Sequence, residues 1–319
     1  MFRSYLFCVM NNIILSRLVG ERYKKVVLTC DYEEEHTQMS HMERRRKKFS
    51  SGNRGGLNPR EDIGLLSRSS GASSASLEAL QGSQIQRVQF LRQLKQENDP
   101  ELLGYGLRRL REIIVSVFHT NRHNTDFISF LGEVYSLSYQ VFLSQAEYVK
   151  CGNIVLSFLV EHVPQWAARH GYLAAYIIYL SHFERDLSKA ISEYYRYKYI
   201  VTSTKDYLAN DLVKLSVLYN EQSGLPKEWF QIVNSEKFTS RYPLAYDLLR
   251  SSGKICEVQL RCISTCTISY NQIPLEFLET GYLCGYPLED EVLKEIHAKY
   301  SVEKRGEGRE IIMFRRRKA

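Results

Sequence analysis

Two groups of side chains in this sequence are of types that can bind a metal ion. His119 and His123 are four residues apart, and Cys256, Cys262 and Cys266 follow one another at helix-compatible spacing. A structural zinc site takes four such ligands, usually as two close pairs. Neither group has a second pair, and a loop-like Thr-Asn-Arg stretch separates the two histidines. The pattern favours helix packing for the cysteines, and we expect no metal and no cofactor.

Nucleic-acid binding is the second chemistry that the sequence offers. The stretch Glu193–Tyr199 interleaves four tyrosines with two cations, and such residues can stack on bases and pair with phosphates. Tyrosines at helical spacing also pack helix against helix, which is the interpretation favoured here. The basic end, formed by Arg315, Arg316, Arg317 and Lys318, either contacts a nucleic acid or only solubilises the chain end. Both interpretations stay open.

Charge is concentrated at the two ends of the chain. The 319 residues include 43 basic and 36 acidic ones, for a formal net charge of +7. Residues 1–80 hold 13 basic and 9 acidic residues, residues 301–319 hold 7 and 3, and the segment between them is nearly neutral. Any contact with RNA would therefore use the ends or a local patch.

Sequence motifs for catalysis are absent. The chain has no phosphate-binding glycine loop, no Gly-x-Ser-x-Gly elbow and no His-Glu-x-x-His pair. We predict that the protein is not an enzyme and takes no small-molecule substrate. An enzyme whose site is assembled from distant residues is the alternative.

The first 80 residues differ in composition from the rest. Asp31–Glu35 is acidic, Arg44–Lys48 is basic, and residues 50–76 are rich in Ser, Gly and Arg. Such a segment buries too little apolar surface to offset its ordering entropy, so we predict that 1–80 is largely disordered. The basic run is a candidate nuclear localisation signal or nucleic-acid contact, and the alternative is a solvated charge cluster in a flexible tail.

Location follows from three further observations. The seven cysteines lack regular pairing, which favours a reducing compartment. An uninterrupted apolar window of about 18 residues is missing, so we expect no membrane partner. With the basic run, these features predict a nuclear protein, or alternatively a cytoplasmic one.

Residues 81–250 carry a sustained helical pattern. Ser83, Asp99 with Pro100, and Asn124 are candidate helix starts. Apolar stripes at helical spacing follow them and continue at about 146–160, 171–182, 186–199 and 206–220. Helices in pairs of about 30–40 residues predict an all-α, TPR-like helical repeat, an α-solenoid. The apolar residues of the first three stripes are Ile85, Val88, Leu91, Leu94, Leu103, Leu107, Leu110, Ile114, Val117, Phe127, Leu131, Val134, Val141 and Phe142.

Residues 251–314 change pattern. A helix is predicted over 254–270, and two more begin at Pro274 and Pro287. Ser301–Lys304 and Arg309–Phe314, joined by a glycine-bearing tip, predict a β-hairpin. Three helices and a hairpin are the outline of a winged helix, which residues 315–319 follow as a basic tail.

Several short stretches resemble, in the same order, the Sac/GANP group of PCI-domain proteins. The last of them is a junction with Gln259-Leu-Arg261, Ser269-Tyr270 and Ile273-Pro274-Leu275. The arginine-rich opening helix of that group has only an approximate counterpart in Arg108–Arg111. The earlier stretches are Glu133–Tyr135, Gln145–Cys151, Gly171–Tyr179, Trp229-Phe230 and Tyr242–Leu249.

The resemblance implies a scaffold that docks other subunits of a complex in mRNA export, transcription elongation or splicing. It also implies a small acidic partner protein at the PCI module, and Arg261, Tyr270 and Pro274 as partner-binding junction residues. RNA contact would use the winged helix and the basic tail. PCI subunits of the proteasome lid, the COP-nine signalosome and translation initiation share the outline and are the alternative, as is a helical-repeat adaptor unrelated to PCI proteins.

Overall fold

The computed structural model describes residues 74–200, 210–221, 226–306 and 308–315, without the side chains of 74–77, 198–200 and 210. Most of the predicted disordered segment, the basic run Arg44–Lys48 and the tail residues Arg316, Arg317 and Lys318 lie outside these ranges.

The described chain is mostly helical, as predicted, and three helix starts are where the sequence places them. The Ser83 and Asp99 side chains accept hydrogen bonds from backbone N–H groups of the first turn, and Asn124 does the same. Such caps satisfy amides that have no partner inside the helix. The first helices are α1 (Ser74–Gly82), α2 (Gln84–Lys95), α3 (Pro100–Asn121) and α4 (Thr125–Ser144).

The first two helices differ from the prediction in two respects. Helix α1 begins at Ser74, inside the segment predicted to be disordered, and Ile85 is 71% exposed instead of packing in the core. Arg87 takes the inner position, because its Nη1 donates to the carbonyl oxygens of Leu80 and Gln81, at 2.9 Å each, at the end of α1. A buried arginine therefore satisfies the last carbonyls of one helix from within the next.

A π-helical turn interrupts the next helical segment. The π-helix brings Gly152 against Tyr179 of a later helix, and a Cβ at position 152 would lie 2.0 Å from that ring. The segment consists of α5 (Tyr148–Lys150), the π-helix (Cys151–Leu156) and α6 (Ser157–His162), and α7 (Pro164–Arg169) follows.

Helix α8 (Tyr172–His182) is buried along its whole length. A helix that is apolar on all sides belongs in the interior of a protein. Of the elements that precede it in the sequence, it contacts α6, α7 and the π-helix Cys151–Leu156. The later helices that pack on it are α9 (Leu187–Ile200), α10 (Asn210–Glu221) and α13 (Pro243–Ser251).

The C-terminal part combines short helices with a three-stranded antiparallel sheet in the order β1-β3-β2. The predicted hairpin is confirmed, since β2 pairs with β3 from Ser301 opposite Met313 to Arg305 opposite Arg309. The elements are α11 (Lys227–Val233), α12 (Glu236–Arg241), α14 (Lys254–Ser269), β1 (Gln272–Pro274), α15 (Leu275–Phe277), a π-helix (Leu278–Tyr282), α16 (Asp290–Lys299), β2 (Ser301–Arg305) and β3 (Arg309–Met313).

The two prolines of this region differ in outcome: Pro274 is the N-cap residue of the short helix α15, close to the predicted start, whereas no helix begins at Pro287, which corrects the prediction. Pro274 is the last residue of β1, opposite Ile311, in a three-residue strand too short to show alternation. Proline is tolerated there because β1 is an edge strand. Helix α16 begins at Asp290, because buried Gln259 holds the preceding loop: it donates to the Pro287 carbonyl at 2.8 Å and accepts from the Glu289 N–H at 3.1 Å.

One apolar core runs through the described residues, from Leu91 in α2 to Ile312 in β3. Cys262 and Cys266 lie in it, which confirms their packing role, and so do Tyr194 and Tyr197 of the tyrosine-rich stretch. No helix in the described part of the chain is long and apolar enough to cross a membrane.

We predict opposite effects for the same substitution at two helical glycines. Gly152→Ala would push a methyl group into the buried Tyr179 ring and lower the free energy of unfolding by about 1–3 kcal/mol. Gly104→Ala meets no atom within 4 Å and should raise it by about 0.5–1 kcal/mol, because alanine restricts the unfolded chain. Urea unfolding measures both, and equal effects would contradict the close approach at Gly152.

Candidate interaction surfaces

Arg261, predicted as a junction residue, joins α14 to α10. Its Nη1 donates to the Tyr219 carbonyl at 3.0 Å, and its guanidinium lies 5.0 Å from the centre of the Tyr219 ring. The side chain is half-buried and faces the helical body. In this structure Arg261 therefore ties the C-terminal region to the body of the same chain.

An ion pair and a tyrosine complete this junction. Lys254 Nζ lies 2.8 Å from Glu257 Oε2 and 3.1 Å from the Tyr219 hydroxyl, and that hydroxyl is 2.9 Å from both Glu257 oxygens. Burial alone would raise the pKa of Glu257, but the hydrogen bonds from Lys254 and Tyr219 lower that pKa below its usual value. The junction thus depends on Glu257 being ionised.

His182, at the end of α8, lies directly beneath Tyr219. The two rings stack with centroids 4.0 Å apart, Trp229 Nε1 donates to His182 Nε2 at 3.4 Å, and Ser181 Oγ is 2.8 Å from His182 Nδ1. Complete burial, followed by the charge of Lys254, lowers the pKa of His182 to about 3. The imidazole is therefore neutral at physiological pH and acts as a packing and hydrogen-bonding group.

The other two predicted junction residues flank the edge strand β1, Tyr270 just before it and Pro274 at its end. Tyr270 is 38% exposed just before β1, and its hydroxyl is 2.6 Å from that of Tyr282. Phe277, 50% exposed, packs edge-on against Tyr282 with ring centroids 5.8 Å apart. With exposed Pro274, these side chains form what we call the aromatic edge: Tyr270, Pro274, Phe277 and Tyr282.

The basic end of the chain begins beside the aromatic edge. The Arg315 N–H lies 3.3 Å from the carbonyl oxygen of Asn271, the residue after Tyr270, and the Arg315 side chain is exposed. The structure therefore brings Arg315 near Tyr270, whereas Pro274 lies at the other end of β1, opposite Ile311, and Arg261 faces the helical body.

Charge differs between the parts of the C-terminal region. Helix α16 has three acidic residues and two lysines. The exposed hairpin residues Lys304, Arg305 and Arg309 add positive charge, although Lys304 and Arg305 pair with Glu310 and Glu303 at 3.3 and 2.7 Å. A polyanion would find more positive charge at the hairpin and Arg315 than on α16.

A groove of about 1000 Å³ lies between α3 and the segment α5–α6, with α4 as its floor. Tyr135, Phe142 and Phe158 are among its aromatic lining residues, and Arg111 lines it as well. Arg111 is only 8% exposed, and its Nη1 donates to Ser138 Oγ at 2.6 Å.

Sequence reasoning did not identify this groove as a surface. Arg111 follows Leu107 by four residues, so it lies on the flank of the buried stripe of α3, and that spacing was a usable signal. The wall opposite α3 contains the π-helix. A π-helix has no sequence signature comparable to the capping residues that mark the start of an α-helix.

The residues that the structure describes form no recognisable metal-binding site. No three His, Cys, Asp or Glu side chains are grouped as a metal site would require. His119 lies within α3, and exposed His123 lies next to Arg122 at the helix end.

Comparison of this chain with protein-family models, with curated proteins and with solved structures gives no match.

We predict that His182 makes folding sensitive to acid. Its pKa is about 6.5 when unfolded and about 3 when folded, so its stabilising effect is complete above pH 6.5 and is lost as pH falls towards 3. Between pH 7.5 and pH 5.0 this loss should amount to about 2 kcal/mol of unfolding free energy. Urea unfolding of the wild type and of His182→Gln at both pH values checks it. An equal loss in both proteins would show that His182 is not the group responsible.

Proposed function

We propose that this chain is a non-catalytic scaffold subunit of a nuclear multiprotein complex that acts in mRNA export, transcription elongation or splicing. It would dock other subunits through its helical body and its C-terminal region. The observation that carries the proposal is the order of elements after residue 253, fixed onto the helical body through the junction of Arg261, Tyr219 and Glu257.

That order supports a winged helix. Helix α14, strand β1, the segment Leu275–Tyr282, helix α16 and the β2–β3 hairpin follow one another, and β3 lies between β1 and β2. Residues 251–314 would then be the winged-helix part of a PCI-type module, and the helices before them a TPR-like repeat. Repeats of this kind commonly present binding surfaces.

Exposed apolar side chains support protein docking at the C-terminal region. Ile268 is 77% exposed, and Phe277 and Tyr270 of the aromatic edge are 50% and 38% exposed. Aromatic side chains of this kind are enriched at protein interfaces. Tyr270 and Pro274 are therefore proposed as partner contacts, whereas Arg261 would act by holding the module in place. A small acidic protein remains a proposed partner of the module.

RNA contact would use the hairpin and the basic tail Arg315, Arg316, Arg317 and Lys318. Arg315 leaves the sheet beside Tyr270, so a phosphate and a base could be bound side by side. The acidic residues of α16 make that helix a poor surface for a polyanion.

The same acidic residues favour the second candidate function. A module that binds only proteins, in a proteasome-lid, COP-nine signalosome or translation-initiation assembly, has no need for a basic recognition helix.

Affinity purification of the full tagged chain, followed by mass spectrometry with and without RNase, tests the proposal. We expect subunits of an export, elongation or splicing complex together with a small acidic protein. Recovery of proteasome, signalosome or initiation-factor subunits would contradict the proposed complex and support the alternative. Recovery of the chain alone would contradict both.

We predict that the basic tail carries the salt dependence of RNA binding. Changing Arg315, Arg316, Arg317 and Lys318 to Gln should lower the slope of log affinity against log salt by up to about 3, because each lost phosphate contact on a single strand contributes about 0.7. Fluorescence anisotropy with a labelled single-stranded RNA measures this slope.

The control removes the same charge from the helical body. Arg92, Arg122, Arg169 and Lys237 are exposed there, and their change to Gln should leave the slope within about 0.5 of the wild type. Equal slopes for both variants would contradict a contact through the tail.

A further inference from the structure

The groove between α3 and α5–α6 has the length of a helix. Its α3 wall extends from Glu101 to Val115 and its other wall from Glu147 to Glu161. At 1.5 Å per residue each wall is about 21 Å long, which is about four helical turns. Phe118 packs on His162 and Phe158, at ring distances of 5.2 and 6.1 Å. The C-terminal ends of α3 and α6 are therefore adjacent, and the two walls run parallel.

Apolar side chains line much of this groove. Tyr135 and Phe158 stack at 4.6 Å between centroids at its floor. Tyr105, Val115 and Ile154 on the walls are 48%, 51% and 40% exposed, so three large apolar side chains of this groove face solvent. An amphipathic helix could cover them with its apolar face.

Arg111 gives this apolar groove a specific charge requirement. No carboxylate of the described residues lies within the 4.0 Å ion-pair distance of Arg111, because neighbouring Glu112 bonds to Arg108 at 3.0 Å instead. Its visible partners are Ser138 and the Phe142 ring, whose centroid is 5.1 Å away. Buried cations are usually paired, and burial also lowers the pKa of Arg111. An anion from outside the described residues would complete this pairing.

The ends of the groove carry the opposite charge. Glu101 and Glu161 line it near opposite ends, and neither forms an ion pair with a described residue, whereas Glu147 is paired with Lys150. A helix that fits this pattern has its acidic residue in the middle and basic residues towards its ends.

We infer that this groove binds one amphipathic helix of about four turns from a partner protein, with an Asp or Glu of its apolar face on Arg111 and basic residues near Glu101 and Glu161. This inference rests on the proposed docking function and specifies the chemistry of one docking partner.

Selection from a display library of 16-residue helical peptides against the full chain tests the inference. The apolar stripe of the library is fixed, and one position within it varies among Asp, Glu, Asn, Gln and Leu. We expect Asp or Glu to be selected there. Replacing it by the matching amide in a synthetic peptide should weaken binding by about 30-fold or more, as should Arg111→Met.

Two valines provide a matched pair of protein variants. Val115 lines the groove and is 51% exposed, whereas Val149 is 64% exposed and lies outside it. Val115→Glu should abolish peptide binding, and Val149→Glu should leave the affinity within about twofold. Circular dichroism confirms folding of each variant, and the acid-to-amide change in the peptide remains informative if Arg111→Met does not fold.

Several results would overturn the inference. They are selection of peptides without a carboxylate preference, binding that survives Val115→Glu, or no binder at all. A dimer of this chain that Val115→Glu converts to a monomer would assign the groove to a second copy, and binding of a peptide of residues 1–20 in the groove would assign it to this chain. If peptide binding to the groove fails these tests while complex subunits still co-purify with the chain, only this inference is contradicted. If no subunit co-purifies, the proposed function itself is contradicted.

Discussion

Complete burial of helix α8 is the constraint on which the rest of the described structure depends. All eleven of its residues are buried, so helices must cover it on every side, and α9, α10 and α13 pack on it together with the segment around the first π-helix. The close approach of Gly152 to Tyr179 follows from this, since the covering helices must come near a helix rich in tyrosine. Surfaces available for partners are therefore on the outer faces of the covering helices.

The end of α8 links this core to the C-terminal region. His182 is fully buried there, and Tyr219 stacks on it while bonding to Glu257 and Lys254 of α14. The Lys254 and Glu257 side chains are partly buried, at 18% and 36% exposed, and their hydrogen bonds to Tyr219 hold α14 against α10. These contacts orient α14, and with it the sheet, the aromatic edge and the start of the basic tail.

Local signals in the sequence predicted much of the helical body. Asp99 with Pro100 and Asn124 begin helices as expected, because capping depends only on residues within one turn. The sequence did not predict β1 or the loop before α16, since these depend on pairing with β3 and on hydrogen bonds of Gln259 to residues 28 and 30 positions away. The groove could not be predicted from the sequence for the same reason. Arginine is usually a surface residue, and Arg111 is buried only because α4 packs beneath it.

The central claim is that this chain works as a docking subunit of a larger assembly. Sedimentation of the endogenously tagged full chain in a density gradient, from extract at physiological salt, tests it most directly. We expect the 37.2 kDa chain to sediment in a particle several times its own mass, and to do so after RNase treatment as well, because proteins hold the assembly together. Sedimentation as a free chain of its own mass would contradict the account.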